Sequence, residues 1–393
     1  MDQPILLNGA YIDEHGTYVE SGFLFIKDGK IDYIGKKNPL PNEEEIKTYV
    51  IAEGSVMIPG MIDVHIHGAA GADVMDGTED VLNKMARALP AEGTTSFLAT
   101  TMTENIDSIE KALIQTASFI KGQKPGSAEI IGIHLEGPFI SEKRAGAQPK
   151  KFIKQPNVNL FKELQQLSEN HIKLVTLAPE AEGGHSLANY LNNTGCIASI
   201  GHSDSTFKEV KEGIESGISH VTHLFNGMRG IHHRDPGVAG AALIQDELMV
   251  EMIVDGVHAS PEMIKLAFHS TGADRTLLIT DSMRAKGLGN GEYTLGGQHV
   301  TVLDGQARLE DGTLAGSILS MDNAVRNMIQ YTGCSLSDIV KMTSANAAKE
   351  LKVFDRKGSL SKGKDADITV LSQDHQILMT FCRGELSYHR KEE

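Results

Sequence analysis

Met61-Ile-Asp-Val-His-Ile-His-Gly68 is an apolar, partly β-branched run that carries two histidines, His65 and His67. Such composition favours a strand, and the strand's two-residue side-chain period turns both imidazoles, together with Asp63, to one face. Met57-Ile-Pro-Gly60 just before it is a turn signal, and Gly68-Ala-Ala-Gly71 takes the chain out of the sheet. The histidines therefore belong at the C-terminal end of the strand. A His-x-His pair in that position is either a metal-ligand pair or two ordinary strand histidines, and the rest of the chain has to decide between them.

Downstream of Gly60, short apolar runs alternate with longer helical patterns, the grammar of βαβ units and a parallel sheet. Candidate strands fall at 61–68, 95–100, 129–137, 171–178, 197–202, 220–226, 249–258 and 276–283, with helix-compatible stretches at 78–92, 105–121, 159–169, 206–216 and 261–270. The class is α/β, and the span suits a (β/α)8 TIM-like barrel, which needs about 250 residues. Residues 287–312, rich in Gly and Thr, predict a β-hairpin insertion, after which helical pattern resumes at 320–331 and 335–351. Upstream, short strands surround the hairpin signal Asp28-Gly29, and the tail from Gly358 returns to strands. Both termini are thus expected to build one small β-sandwich domain, residues 1–58 and 356–393, beside a catalytic barrel over 59–355.

Composition sets limits on partners. The chain has 393 residues, 40% hydrophobic and 23% charged, ordinary for a soluble globular protein. Its net charge of −15 argues against nucleic acid or an anionic membrane as the main partner. An anionic small molecule would need a local basic pocket. Three cysteines, far apart, indicate neither a disulfide framework nor a cysteine-based zinc site. With no basic leader and no run of the ~18 apolar residues that span a bilayer, a cytoplasmic protein is expected.

Barrel active sites lie at the C-terminal ends of the strands. There the third candidate strand ends in His134-Leu-Glu136-Gly-Pro-Phe139 and the fifth in Gly201-His202-Ser203. The sixth carries Thr222-His223-Leu-Phe-Asn226, the seventh Asp255-Gly-Val-His258 and the eighth Thr280-Asp281-Ser-Met283. Taken singly, each is explained by a loop hydrogen bond or a helix cap. Taken together, imidazoles and carboxylates at one rim form the N/O donor set that suits zinc or ferrous iron.

His-Leu-Glu-Gly-Pro-Phe, Gly-His-Ser, Thr-His-Leu-Phe-Asn-Gly-Met and Thr-Asp-Ser-Met, in this order, resemble the N-acetylglucosamine-6-phosphate deacetylases of the amidohydrolase superfamily. The resemblance covers essentially the whole chain. It implies that Glu136, His202 and His223 bind one divalent metal, Zn or Fe, and that His65 and His67 bind a second with Glu136 as the bridge. Two metals per subunit follow, because some members replace the first-strand pair and this chain keeps it. Many amidohydrolases bridge with a carboxylated lysine on the fourth strand; Lys173 sits near the start of that strand, at the wrong end.

A metal cluster lowers the pKa of water from about 15.7 towards ~7, so that hydroxide becomes available to attack an acetamide carbonyl. Asp281, expected among the ligands, would carry the proton to the leaving amine. His258 would bond the carbonyl oxygen or the sugar. Asp63 is either an outer carboxylate orienting an imidazole or a turn residue. The resemblance assigns the substrate's phosphate to Asn226, the Gly227 backbone and Arg234; relatives pass that arginine into the neighbouring subunit's pocket, which makes a homodimer part of the site. Arg234 reads equally well as a loop charge paired with Asp235, and His232 and His233 as loop surface. The function expected is deacetylation of N-acetyl-D-glucosamine 6-phosphate to D-glucosamine 6-phosphate and acetate in amino-sugar catabolism. The alternatives are another amidohydrolase, such as a cyclic-amide hydrolase or an N-acyl amino acid deacylase, and a non-catalytic scaffold, which should have lost ligands that this chain retains.

Overall fold

A computed structural model describes residues 4–40 and 46–391. The parts of the small-domain expectation that fall on 1–3, 41–45 and 392–393 lie outside the described residues. Eight parallel strands form the central sheet in sequence order: β1 (Met61–Ile66), β2 (Thr94–Thr100), β3 (Glu129–Glu136), β4 (Ile172–Leu177), β5 (Ile197–Ile200), β6 (Ile218–Val221), β7 (Met249–Ile253) and β8 (Thr276–Ile279). Just past the end of β8, the Asp281 N–H donates to the carbonyl of His65 at 2.8 Å and the His67 N–H donates to that of Ser282 at 2.9 Å. These bonds bring the last strand back to the first, and the sheet closes as a barrel.

The surrounding helices are α1 (Glu79–Ala88), α2 (Ile106–Gly122), α3 (Val158–Leu167), α4 (Gly184–Thr194), α5 (Phe207–Glu215), α6 (Gly237–Ile244), α7 (Pro261–Thr271) and α8 (Met321–Thr332). Their starts follow from local chemistry: Asn105 and Asn157 cap α2 and α3, Thr206 forms a capping box with Glu209 on α5, and Ser260 precedes a proline at the first position of α7. Two of these helices, α4 and α6, carry no readable helical signal in the sequence. In α6, Gly-Val-Ala-Gly-Ala-Ala-Leu-Ile is apolar on nearly every side and buried over seven residues, so it has no polar face from which a helical period can be read. In α4 the preceding Glu-Gly-Gly looks like loop, and its N-cap is Gly183 rather than a side-chain cap. The stretch 335–351 is helical, with one π turn, Lys341–Ala345, between two short α segments.

The insertion after β8 is a three-stranded antiparallel meander, Gly291–Leu295, Gln298–Leu303 and Gln306–Arg308, rather than a single hairpin. Leu295, Val300, Val302 and Ala307 pack on Met102 and Met283 beside the barrel mouth.

Both chain ends share the second sheet. Val56–Pro59 pairs antiparallel with Ile368–Leu371 and parallel with Ile5–Ile12, so the tail is stitched to the opening segment. Leu24 and Ile31 from one end of this sheet share a core with Met379 and Phe381 from the other, so the sheet curls over itself as a small sandwich. A buried ion cluster joins it to the bottom of the barrel. Lys357 Nζ lies 2.7 Å from Glu129, at the start of β3, and 3.4 Å from Asp365; it also pairs with Asp367. No described helix is long and apolar enough to cross a membrane.

Hydroxyls meet inside the barrel. Thr176 of β4 and Thr222 at the end of β6, on strands that are not neighbours, touch through Oγ1 atoms 2.8 Å apart, and Ser199 Oγ is 2.5 Å from Thr222. Contact between non-adjacent strands requires these side chains to point inward. These three hydroxyls pair with one another, which is what makes polar side chains tolerable inside the barrel.

Candidate metal and acyl-transfer site

The barrel rim gathers His65, His67, Glu136, His202, His223 and Asp281, all buried. Glu136, the last residue of β3, lies between the imidazoles. Its Oε1 is 3.2 Å from His202 Nε2 and 3.1 Å from His223 Nε2, and its Oε2 is 3.2 Å from His67 Nε2. Asp281 Oδ1 stands 3.4 Å from His65 Nε2 and 3.2 Å from His67 Nε2. Two groups of candidate ligand atoms result, Glu136 with His202 and His223, and His65 with His67 and Asp281.

Three of these residues reach the site by a backbone reversal. The apolar runs of strands five, six and eight extend in sequence through His202, His223 and Asp281, but the strands stop at Ile200, Val221 and Ile279. The three residues instead adopt left-handed φ values of 46°, 31° and 47°. Non-glycine residues are uncommon there, and such conformations concentrate at sites where the surrounding structure enforces them. Gly227 (φ 57°) has to be glycine for a related reason: a Cβ would lie 2.8 Å from Nδ1 of His202.

The donor set fits a divalent cation. His202 and His223 face each other with Nε2 atoms 3.2 Å apart, and the His202 Nδ1 is 2.8 Å from the Arg144 carbonyl, which places a proton on Nδ1 and turns Nε2 to the rim. Buried His65 Nε2, His67 Nδ1 and His223 Nδ1 have no hydrogen-bond partner among the described residues. Burial opposes charge on His67, yet Asp281 and Glu136 hold it up to about 9. Burial likewise opposes the Glu136 anion, but the His65 charge and bonds from His202 and His223 keep it well below the usual carboxylate range. The rim thus sets two carboxylates among imidazoles that hold protons in their place, an N/O donor set from which a divalent cation would displace those protons.

Several outer groups were not found from sequence. Glu251, in the middle of β7, is fully buried; its Oε2 lies 2.9 Å from His65 Nδ1 and its Oε1 3.1 Å from His220 Nε2. His220 Nδ1 continues 2.8 Å to Glu350. Against burial, Glu350 and Glu251 hold His220 up to about 10. The signal was a lone acid within Met249-Val-Glu251-Met-Ile253, an odd choice for a buried strand. Gln148, from the loop after β3, donates to Glu136 Oε2 at 2.7 Å while its own Oε1 accepts the Thr103 N–H at 2.8 Å.

Asp63 does not reach an imidazole. Its carboxylate accepts the His65 N–H at 3.2 Å and the Thr280 hydroxyl at 2.5 Å, so it ties β1 to β8 beside Asp281. His134 points into the barrel, 2.7 Å from Thr176 Oγ1; burial and the nearby His65 push it well below the usual histidine range, so it is neutral. Lys173 is the second residue of β4, at the far end from the rim, and bonds the Asn170 carbonyl.

A cavity of about 200 Å³ opens onto the rim, lined by Asn226, Gly227 and His258 and roofed by Leu295, Leu314 and Gly316. His258 Nδ1 is 2.7 Å from Asp255 Oδ2, which leaves Nε2 free. Arg234 is exposed and does not line the cavity of its own chain. It bonds its neighbour His233, while Asp235 pairs with Arg229, at 3.0 Å, instead of Arg234. His232 and His233 are exposed, as expected.

An eight-stranded parallel barrel with buried imidazoles and acids at its C-terminal rim is the architecture of metal-dependent hydrolases. Residues 56–386 match the amidohydrolase family. A curated N-acetylglucosamine-6-phosphate deacetylase from Bacillus subtilis (strain 168) is 46% identical over 100% of this chain and 99% of its own length. Among solved structures, the N-acetylglucosamine-6-phosphate deacetylase of Thermotoga maritima is 35% identical with a TM-score of 0.87, covering 97% of this chain and 99% of its own. A Mycobacterium smegmatis deacetylase variant in complex with N-acetyl-D-glucosamine-6-phosphate is 29% identical with a TM-score of 0.91, covering 98% of this chain and 100% of its own. The chain belongs to the amidohydrolase family, in its branch of N-acetylglucosamine-6-phosphate deacetylases.

Proposed function

We propose that this chain hydrolyses the acetamide of N-acetyl-D-glucosamine 6-phosphate, releasing acetate and D-glucosamine 6-phosphate. The observation that carries the reading is Glu136, whose two oxygens face His202 and His223 on one side and His67 on the other, with Asp281 across from it. Glu136, His202 and His223 would hold one divalent cation, and His65, His67 and Asp281 a second, bridged by Glu136. When bound, the metal supplies Lewis acidity, polarising the amide carbonyl and making water acidic near neutral pH.

The chain's own residues do the rest. As water adds to the carbonyl carbon, Asp281 takes one of its protons on a carboxylate oxygen and returns it to the nitrogen when the C–N bond breaks; the second water proton leaves with the acid product, which ionises to acetate in solvent. His258, held by Asp255, presents Nε2 to the carbonyl oxygen or a sugar hydroxyl. Asn226 and the Gly227 N–H receive the phosphorylated end. Arg234, exposed on its own chain, completes the phosphate site of a partner subunit in a homodimer, where its guanidinium fork matches a phosphate. The same reading divides the chain into a catalytic barrel over 59–355 and a β-domain from 1–58 and 356–393, and places the protein in the cytoplasm, where a phosphorylated sugar and unpaired thiols such as buried Cys196, Cys334 and Cys382 are at home.

The test is acetate release from the 6-phosphate sugar by protein reconstituted with zinc or iron. Its unphosphorylated counterpart and the galacto epimer serve as comparisons. Equal turnover of the unphosphorylated sugar, or faster turnover of a cyclic amide, would overturn the assignment.

A further inference from the structure

We infer that Glu251 is a positioning residue that fixes His65 in the tautomer needed at the rim, a role that rests on the metal-site reading above. Three groups converge on this one carboxylate in the middle of an apolar strand. Its Oε2 lies 2.9 Å from His65 Nδ1 and also accepts the His223 N–H at 3.1 Å, while its Oε1 lies 3.1 Å from His220 Nε2. A carboxylate oxygen can only accept here, so His65 Nδ1 carries the proton and donates. The other nitrogen, Nε2, is then the one turned to the rim, 3.5 Å from Glu136 Oε1 and 3.4 Å from Asp281 Oδ1, and it supplies a lone pair once a cation displaces any proton it holds. An imidazole that donates one ring N–H to a carboxylate is both oriented and made more basic at its other nitrogen.

The same oxygen bonds the backbone of His223, whose φ of 31° turns its ring back over Glu136. One acid therefore supports a donor from each of the two candidate ligand groups. Its own position is fixed in turn by His220, which bridges to Glu350 at 2.8 Å near the end of the C-terminal helical segment. The run Glu350, His220, Glu251, His65 crosses the barrel from its outer wall to its mouth. A purely structural reading, a buried acid neutralised by its neighbours, accounts for the pairing with His220. It does not account for Oε2 being shared between two residues of the rim.

The experiment compares wild type, Glu251→Leu and Glu251→Gln. Glutamine keeps a carbonyl oxygen that accepts from His65; leucine fills similar space with no acceptor. Nitrogen-15 spectra of metal-free protein labelled at histidine, with the His65 signal assigned by loss in His65→Asn, report the tautomer without any metal. Calorimetric titration with zinc reports the consequence. The expected result is a protonated Nδ1 in wild type and Glu251→Gln, with or without a second proton on Nε2, its loss in Glu251→Leu, and zinc affinity about 10- to 100-fold weaker in the leucine variant but largely restored in the glutamine variant. The Nε2–H form in wild type would overturn the inference, as would a folded Glu251→Leu protein with unchanged tautomer and zinc affinity. Should the leucine variant fail to fold, the wild-type and glutamine spectra still decide it. Wild type that takes up no zinc would sink the metal-site reading instead, leaving the tautomer assignment to stand or fall on its own spectrum.

Discussion

The backbone N–H of Asp281 donates to the carbonyl of His65 at 2.8 Å, while the Asp281 side-chain Oδ1 lies 3.4 Å from Nε2 of the same histidine. The bond that brings the last barrel strand back to the first thus also sets the acid beside the imidazoles. Closure of the fold and assembly of the site are one event at this position, and Asp63 reinforces it by holding both His65 and Thr280.

Backbone and side chain can be separated there. Asp281→Asn keeps the main-chain bond and tolerates the left-handed φ of 47°, since asparagine visits that region readily. It removes the carboxylate proposed to accept the proton. Acetate release should fall by roughly 10²- to 10⁴-fold with the melting temperature little changed. A variant retaining full turnover would disprove the proton-carrying role.

Metal removal should cost both activity and stability. A ligand that binds only the folded chain stabilises it by about 4 kcal/mol at a thousandfold excess over Kd. Dialysis against a chelator is expected to abolish acetate release and lower the melting temperature, and zinc or ferrous iron to restore both. His67→Asn should reduce bound metal from two equivalents towards one by elemental analysis; no change in stoichiometry would argue against a second position.

Much of this site was legible in the sequence, because strand ends such as His134-Leu-Glu136 and Thr280-Asp281 put polar residues where the barrel opens. What escaped has physical causes. Strand periodicity places His65 and His67, but nothing in it announces that His202, His223 and Asp281 leave their strands by reversed backbone. Glu251 is invisible to a search of strand ends since it sits within β7, and α6 has no polar face to reveal its period. Arg234 illustrates the opposite limit: its loop is placed correctly, yet a single chain shows only an exposed guanidinium.

Gly227 is constrained from two sides. Its φ of 57° disfavours a side chain, and a Cβ would come within 2.8 Å of His202 Nδ1, the nitrogen that bonds the Arg144 carbonyl. In Gly227→Ala the His202 ring must shift. We expect a loss of about 1–3 kcal/mol in stability and a fall in kcat/KM of at least about tenfold. Unaltered kinetics would show that the ring position is not needed.

Arg234 should affect affinity for the phosphorylated sugar and little else. Among the described residues its guanidinium bonds only the adjacent His233, so Arg234→Ala removes no core contact. The expected outcome is a KM for the 6-phosphate substrate raised about tenfold or more, with melting temperature unchanged. Mixing this variant with Asp281→Asn protein offers a sharper check: if the arginine serves the partner's pocket, hybrid dimers contain one site with both residues intact and recover a low-KM activity that neither parent shows.

At the opposite end of the barrel, Lys357 is almost wholly buried and is shared by Glu129, Asp365 and Asp367. Burial opposes ionisation of Glu129, but Lys357 and Arg356 hold its carboxyl below the usual range of 4.5; Asp365 is likewise held below 3.8 against burial by Lys357, Lys30 and Arg356. Groups with depressed folded values lend stability that is present above the unfolded value and is lost as pH falls through the folded one. Wild type should therefore lose stability below about pH 4.5, a decline visible in denaturant melts at stepped pH. Lys357→Met leaves buried acids short of a cation and should cost about 3–5 kcal/mol at neutral pH. Because the carboxyls then move back towards ordinary values, the acid-side decline should become shallower in the variant. The rim is at the other end of the strands, so deacetylation by the folded fraction should be nearly unchanged; an equally steep acid decline in Lys357→Met would mean that the cluster is not what couples stability to pH.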